Sequence, residues 1–298
     1  MGLYTYNSES IPMSDRIPRL KENLFKKMPE IESARAILIT ESYKATENEP
    51  IIIRRAKAFE HILDNIPIII RDEELIVGST TIAPRGCQTY PEFSFEWLEP
   101  EFETVATRSA EPFYISEQTK ADLREVHKYW KGKTTSDLAT AYMAPEAIKA
   151  MEHNIFTTGN YFYNGVGHVT VQYDKVLAIG FEGIIDLVEA ERAKCNVGDG
   201  DYAKRSHFYE AVITSCKAVI RYAQRYAALA REEAETCGDA KRRQELLLRG
   251  ALYTRRSRSV SGGGLYTSEN AGMSSEIYVR IIKAESLRFL EEGSSAPG

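Results

Sequence analysis

The stretch RRAKAFEHILDNIPIIIRDEELIVGS, Arg54 to Ser79, decides the fold class. Phe59, Ile62, Leu63 and Ile66 follow the i, i+3, i+4, i+7 spacing of an amphipathic helix over Arg54 to Ile66, which Pro67 terminates. After it, Ile68 to Val77 holds an apolar run, a charged turn at Arg71 to Glu74 and a second short apolar run before Gly78, which reads as two short extended pieces. The same helical texture returns downstream over Gln118 to Trp130, Asp174 to Ala193 and Ser206 to Glu235. In the last of these, Phe208, Val212, Val219, Ala223, Ala227 and Ala230 step along one side, while Lys217, Arg221, Arg225 and Arg231 occupy others. Closely spaced alanines there predict tight helix packing. The expected fold is mainly α with a few short strands.

Between the helices lie segments of another kind. Pro84, Gly86, Pro91, Pro100 and Pro112 break any helix over Ile82 to Phe113, yet Tyr90, Phe93, Phe95, Trp97 and Phe102 need cover, so this segment is predicted irregular but packed. A second aromatic and glycine patch spans Gly159 to His168, and Asn196 to Lys204 reads as a turn. After Arg249 the string TRRSRSVSGGGLYTSENAGMSS is rich in Ser, Gly and Arg and has no helical period. The chain therefore divides at Leu248 into a folded part, 1–248, and an atypical tail, 249–298, expected to be disordered or frame-shifted.

Composition narrows the function classes. The 298 residues carry Lys+Arg 38 against Asp+Glu 43, a net charge of -5, which gives no electrostatic reason for a nucleic acid or anionic membrane partner. The apolar runs fall short of the ~20 residues that cross a bilayer, and Met1 to Ser14 lacks a basic region followed by an apolar one. A cytoplasmic protein is expected. Cys87, Cys195, Cys216 and Cys237 are widely spaced, with no CxxC pair, so free thiols and no structural metal are expected.

Three strings are candidates for chemistry. In YWKGKTTSD, Tyr129 to Asp137, Gly132 marks a turn, Thr134 and Asp137 stand at capping-box spacing, and Asp137 is placed to N-cap a helix from Leu138. In GNYFYNGVGHVTVQYDKVL, Gly159 to Leu177, Gly165 and Gly167 would set His168 at a cavity mouth walled by Tyr161, Phe162 and Tyr163; a hydrogen-bonded structural histidine is the competing reading. That string has neither the Walker Lys-Ser/Thr nor GxGxxG spacing. Cys87 in RGCQTY has Arg85 nearby to lower its pKa but no His close in sequence, which favours a buried structural thiol.

Together with RIPRLKENLFKKMPEIESARAILITESYK, Arg16 to Lys44, these strings occur in the order found in the glycyl radical enzymes, and the chain resembles that pyruvate formate-lyase-like family over about Ser14 to Glu245. The resemblance implies a large helical region and the early part of a ten-stranded α/β barrel. It also implies a backbone glycyl radical, installed by a radical SAM activating enzyme, that draws hydrogen from a cysteine whose thiyl attacks a substrate C–H bond. No catalytic residue is assigned here: the four cysteines lack the family's GCVE-like context, and SVSGG, Ser259 to Gly263, lacks the Arg and Tyr of RVSGY.

The YWKGKTTSD string is most similar to choline trimethylamine-lyases, which implies that Tyr129 and Asp137 bind substrate beside a trimethylammonium group. A quaternary ammonium donates no conventional hydrogen bond and is held by aromatic faces and a nearby carboxylate. The expected function is the N-terminal fragment of a C–N lyase that cleaves choline to trimethylamine and acetaldehyde, inactive alone and with no cofactor bound. The alternatives are a fragment of a diol or glycerol dehydratase and a non-catalytic helical binding module. The parent enzyme is expected to be a homodimer that meets its activating enzyme in the cytoplasm or in a bacterial microcompartment.

Overall fold

The computed structural model describes residues 15–158 and 172–257. Helix α1, Arg16–Phe25, leads into strand β1, Glu30–Glu32, then α2, Ala34–Ala45, and α3, Ile51–Asn65. Strand β2, Gly86–Gln88, and two short 3-10 helices, Glu99–Glu101 and Val105–Thr107, precede α4, Glu117–Trp130, α5, Thr135–Ala141, and α6, Pro145–Glu152. Then come α7, Tyr173–Arg192, α8, Tyr202–Thr236, and α9, Ala240–Ser257. The fold is mainly α with short strands, as the periodicity requires.

The main core is built from the first half of the chain. Ala36 and Ile39 of α2, Ala58, Ile62 and Ile66 at α3, and Leu123, Val126 and Trp130 of α4 pack with Phe95, Leu98, Phe102 and Val105 of the Pro-rich segment. That segment is thus irregular but packed, although its aromatics divide: Phe95 and Phe102 are buried, whereas Tyr90 and Trp97 stay exposed. It also contributes β2, which pairs in parallel with β1 in the register Glu30↔Gly86, Ile31↔Cys87, Glu32↔Gln88.

Helix α8 is the spine of the second half and packs on α3, α7 and α9. Its buried line is Ala211, Ile213, Cys216, Ala218, Tyr226, Ala227, Ala230 and Ala234. The expected stripe is right at Ala227 and Ala230, but Phe208 lies exposed near the start of the helix. Two arginines read as decoration tie α8 to α3. Arg221 forks onto Asp64, with Nε to Oδ1 at 2.9 Å and Nη2 to Oδ2 at 2.8 Å, and reaches Glu60 at 2.6 Å. Arg225 donates to the carbonyls of Leu63 and Ile66, groups that the end of α3 leaves without helical partners. Phe59, expected on the core face of α3, is also exposed.

The two extended pieces expected over Ile68 to Val77 form no ladder. Their carbonyls are taken by side chains instead: Arg242 of α9 donates to Arg71 O and Glu74 O, both at 2.9 Å. Arg71 folds back on Glu74 and also donates to the carbonyls of Thr81, Ile82 and Ala83. Tyr222 and Tyr226 of α8 both donate to Ser79 O, at 3.0 and 2.7 Å. Side-chain donors therefore supply what a neighbouring strand would have given.

The turn read at Asn196 to Lys204 ends at Asp201, where α8 begins. The boundary expected at Leu248 falls inside α9, whose backbone stays helical to Ser257. The rest of the 249–298 tail, with SVSGG, and the patch from Gly159 through His168 lie outside the described residues. Among the described residues no helix is long and apolar enough to cross a membrane.

Candidate functional site

The YWKGKTTSD string sits where α4 ends and α5 begins. Ser116 starts α4 by accepting the Thr119 N–H at 3.0 Å, and apolar residues at Leu123, Val126 and Trp130 hold it on the core. Trp130 is buried, and its indole N–H donates to Thr40 Oγ1 at 2.8 Å. Gly132 then adopts φ 74°, the left-handed conformation that turns a chain away from a helix end. This fixes Tyr129 one residue before a buried anchor.

Tyr129 is half-buried and ringed by cations. Its ring meets Trp130 edge-on, with centroids 5.2 Å apart. The Lys133 ammonium lies 4.1 Å from its centroid and that of Lys44 5.6 Å. Arg54 stacks over Tyr43 at 4.5 Å and points Nη2 at the Tyr129 hydroxyl, 3.5 Å away. The ring face expected to receive a substrate cation is thus already served by protein cations.

Asp137 has a structural duty as well. Thr134, not Asp137, is the N-cap of α5, and Asp137 is its N3 residue in a complete capping box. The helix starts three residues before Leu138 because Thr134 Oγ1 accepts the Asp137 N–H at 2.9 Å, while Asp137 Oδ2 accepts the Thr134 N–H at 3.0 Å. Among the described residues Asp137 Oδ1 takes no hydrogen bond. One carboxylate oxygen is therefore engaged at the helix start, and among the described residues the other is an open acceptor.

The turn rests on a segment distant in sequence. Thr135 and Ser136 donate their N–H groups to the carbonyls of Glu92 and Phe93, at 2.9 and 3.0 Å. Arg35 of α2 pairs with the Glu92 carboxylate, with Nη2 to Oε1 at 2.5 Å. Sequence reasoning passed over Arg35, Arg54 and Glu92, because their roles depend on contacts across 57 and 75 positions. The only local signal was the proline before Glu92, which marks a turn.

The remaining candidates offer less. Cys87 lies half-buried in β2, and burial pushes its thiol pKa up rather than activating it. Burial raises the Cys216 thiol in the same way. Among the described residues no group of three His, Cys, Asp or Glu side chains could hold a metal ion. An open groove of about 450 Å³ between α2 and α3 is lined by Glu41, Ser42, Ala45, Lys57, Glu60, His61, Asp64 and Asn65, and includes neither Tyr129 nor Asp137.

A family model described as pyruvate formate lyase-like matches residues 12–257. The chain belongs to the pyruvate formate lyase-like family. Among solved structures it is similar to the 1,2-propanediol-dehydrating enzyme of Roseburia inulinivorans, 59% identical with a TM-score of 0.82, covering 93% of this chain and 33% of that one. It is also similar to the B12-independent glycerol dehydratase of Clostridium butyricum, 47% identical with a TM-score of 0.80, covering 89% of this chain and 33% of that one. Among curated proteins, (2S)-3-sulfopropanediol dehydratase of Klebsiella oxytoca is 34% identical over 248 residues, 82% of this chain and 30% of that protein.

The chain spans about a third of the length of these relatives and corresponds to the N-terminal portion of the family's glycyl radical enzymes, whose fold contains the α/β barrel. The relatives named here are dehydratases of diols and triols. Choline cleavage is a finer expectation than the family match carries.

Proposed function

We propose that these residues are the N-terminal portion of a glycyl radical dehydratase of small vicinal diols, with 1,2-propanediol and glycerol as the substrate class. The observation that carries this reading is the 59% identity over 93% of the chain with a propanediol-dehydrating enzyme. In the whole enzyme the glycyl radical, installed by a radical SAM activating enzyme, would generate a cysteine thiyl that takes a hydrogen atom from the diol. Water would then leave, and return of that hydrogen atom from the thiol to the product radical would give the aldehyde and restore the thiyl. This chain would contribute part of the wall that holds the hydroxyls. Among the described residues Asp137 Oδ1 is an open acceptor for a hydroxyl proton, and the Tyr129 hydroxyl accepts from Arg54 Nη2 at 3.5 Å.

Charge favours a neutral substrate over choline. With Lys133 4.1 Å and Lys44 5.6 Å from the Tyr129 ring, a trimethylammonium group brought there would join like charges. The choline reading rests on Tyr129 and Asp137 alone, and on the diol reading those same residues face hydroxyls. The enzyme would act as a homodimer in the cytoplasm or a microcompartment.

The test uses the full-length polypeptide that carries these residues, activated anaerobically with its activating enzyme and S-adenosylmethionine. Aldehyde formation from 1,2-propanediol or glycerol, without trimethylamine from choline, is the expected result. Release of trimethylamine as the main product would overturn it. Asp137→Asn is expected to weaken diol turnover, since the amide oxygen can take over the capping role of Oδ2 while an NH2 group that donates replaces the acceptor Oδ1. The 298 residues alone are expected to show no glycyl radical EPR doublet, because they contain neither a GCVE-like nor an RVSGY-like string.

A further inference from the structure

The turn from Thr134 to Asp137 is held from outside its own helix. Thr135 and Ser136 are the first two residues of α5, and the first N–H groups of a helix have no partners within it. Here they donate to Glu92 O and Phe93 O, at 2.9 and 3.0 Å, and the Thr135 hydroxyl joins Glu92 O at 3.2 Å. The start of α5 is thus keyed to two consecutive carbonyls of the Pro-rich segment.

The residue that supplies the first of these carbonyls is tied down by its own side chain. The Glu92 carboxylate receives both guanidinium arms of Arg35, Nη2 to Oε1 at 2.5 Å and Nη1 to Oε2 at 3.2 Å, with each side chain only 13% exposed. Arg35 also donates to Thr89 O at 3.2 Å and lies 3.8 Å over the Tyr90 ring. A two-armed pairing fixes angle as well as distance. Burying a charge pair adds little net stability compared with an apolar contact, so what this pair contributes is orientation.

We propose that Arg35 and Glu92 are positioning residues of the substrate wall: their forked ion pair sets the carbonyls that receive the start of α5, and through it the place of the Asp137 carboxylate. This inference rests on the reading of Asp137 as part of that wall, and its test has one arm that needs no activity. Arg35→Lys keeps the charge but loses the fork, and Glu92→Gln keeps the shape but loses the charge.

The first arm measures amide hydrogen exchange at Thr135 and Ser136 in the full-length polypeptide before activation, by mass spectrometry with residue-level fragmentation. In both variants these amides are expected to exchange about tenfold faster while those of α3 keep their rates, which separates local release from global unfolding. Unchanged exchange at Thr135 and Ser136 overturns the proposal. The second arm uses the activated full-length enzyme, where KM for 1,2-propanediol is expected to rise about tenfold at unchanged radical content, with kcat far less affected. A parallel loss of kcat and radical signal with KM unmoved would mark the pair as merely structural and overturn its positioning role. A wild-type enzyme that turns over no diol would refute the proposed substrate instead, leaving the exchange arm to judge the fork.

Discussion

Thr134 Oγ1 and Asp137 Oδ2 lie 2.7 Å apart and close a reciprocal box in which each side chain also bonds the other's backbone N–H. Thr134 is 2% exposed, so water cannot replace its hydroxyl. Thr134→Ala should therefore cost about 1–2 kcal/mol, the usual worth of a lost N-cap, while Thr134→Ser should keep most of it. Urea denaturation of the two variants beside wild type checks this. Equal stability of the Ala and Ser variants would refute the role of the hydroxyl.

Trp130 and Thr40 form a buried relay between α4 and α2. The Trp130 indole donates to Thr40 Oγ1 at 2.8 Å, and that hydroxyl donates to Ala36 O at 2.6 Å. Trp130→Phe should cost about 2–4 kcal/mol, from a lost hydrogen bond and the space left by the smaller ring. Thr40→Val, made on top of it, should cost less than it does alone, because its partner is already gone. Denaturation of both single variants and the double variant gives the coupling, and strict additivity would contradict the relay.

His127 should make the fold sensitive to acid. Its ring is 4% exposed, stacked on Phe95 with centroids 4.1 Å apart, and burial holds its pKa below the ordinary 6.5 even though Glu99 lies 3.4 Å away. Glu99 is itself shared with Arg124 at 3.6 Å, which weakens its pull on the imidazole. In the unfolded chain the imidazole takes up a proton at higher pH than in the fold, so the unfolded state binds more protons in that window. The contribution is fully present above pH 6.5 and is lost as pH falls through the folded value. Melting temperature should fall on acidification from neutral pH, and His127→Leu should flatten that slope. A Leu variant with the wild-type slope would assign the acid sensitivity elsewhere.

Helix positions were legible because burial repeats with the helical period: the spacing of Ile62, Leu63 and Ile66 marks α3, and Ala227 and Ala230 mark α8. What failed depended on partners that local sequence does not contain. Ile68 to Val77 looked extended, yet Arg242, far along the chain, takes its carbonyls. The capping spacing at Thr134 and Asp137 was visible, but the helix starts earlier, at the Thr134 cap, and the next two N–H groups are taken by the carbonyls of Glu92 and Phe93, far away in sequence. Asp137 was singled out by resemblance, while the Arg35–Glu92 pair that underlies its turn has no motif to announce it.

Gly86 is required by close approach rather than by backbone angle. A Cβ there would overlap Thr81 Cβ and stand 2.8 Å from both Thr81 Oγ1 and Glu32 Oε1. That carboxylate accepts the Ala83 N–H at 2.7 Å through Oε1 and the Ile82 N–H at 3.1 Å through Oε2, so the contact lies between β2 and the loop that Glu32 of β1 holds. Gly86→Ala must push apart either the paired strands or the Glu32 contacts, and should cost about 1–3 kcal/mol, the usual price of overfilling a packed site. Adding Thr81→Gly removes the overlapping Cβ and should recover part of the loss, though not all, because the Thr81 hydroxyl also bonds Ala83 O at 3.3 Å. Thr81→Ala keeps its Cβ and should recover little. Denaturation midpoints of Gly86→Ala alone and with each Thr81 change decide it, and equal rescue by Ala and Gly would place the strain somewhere other than the two β-carbons.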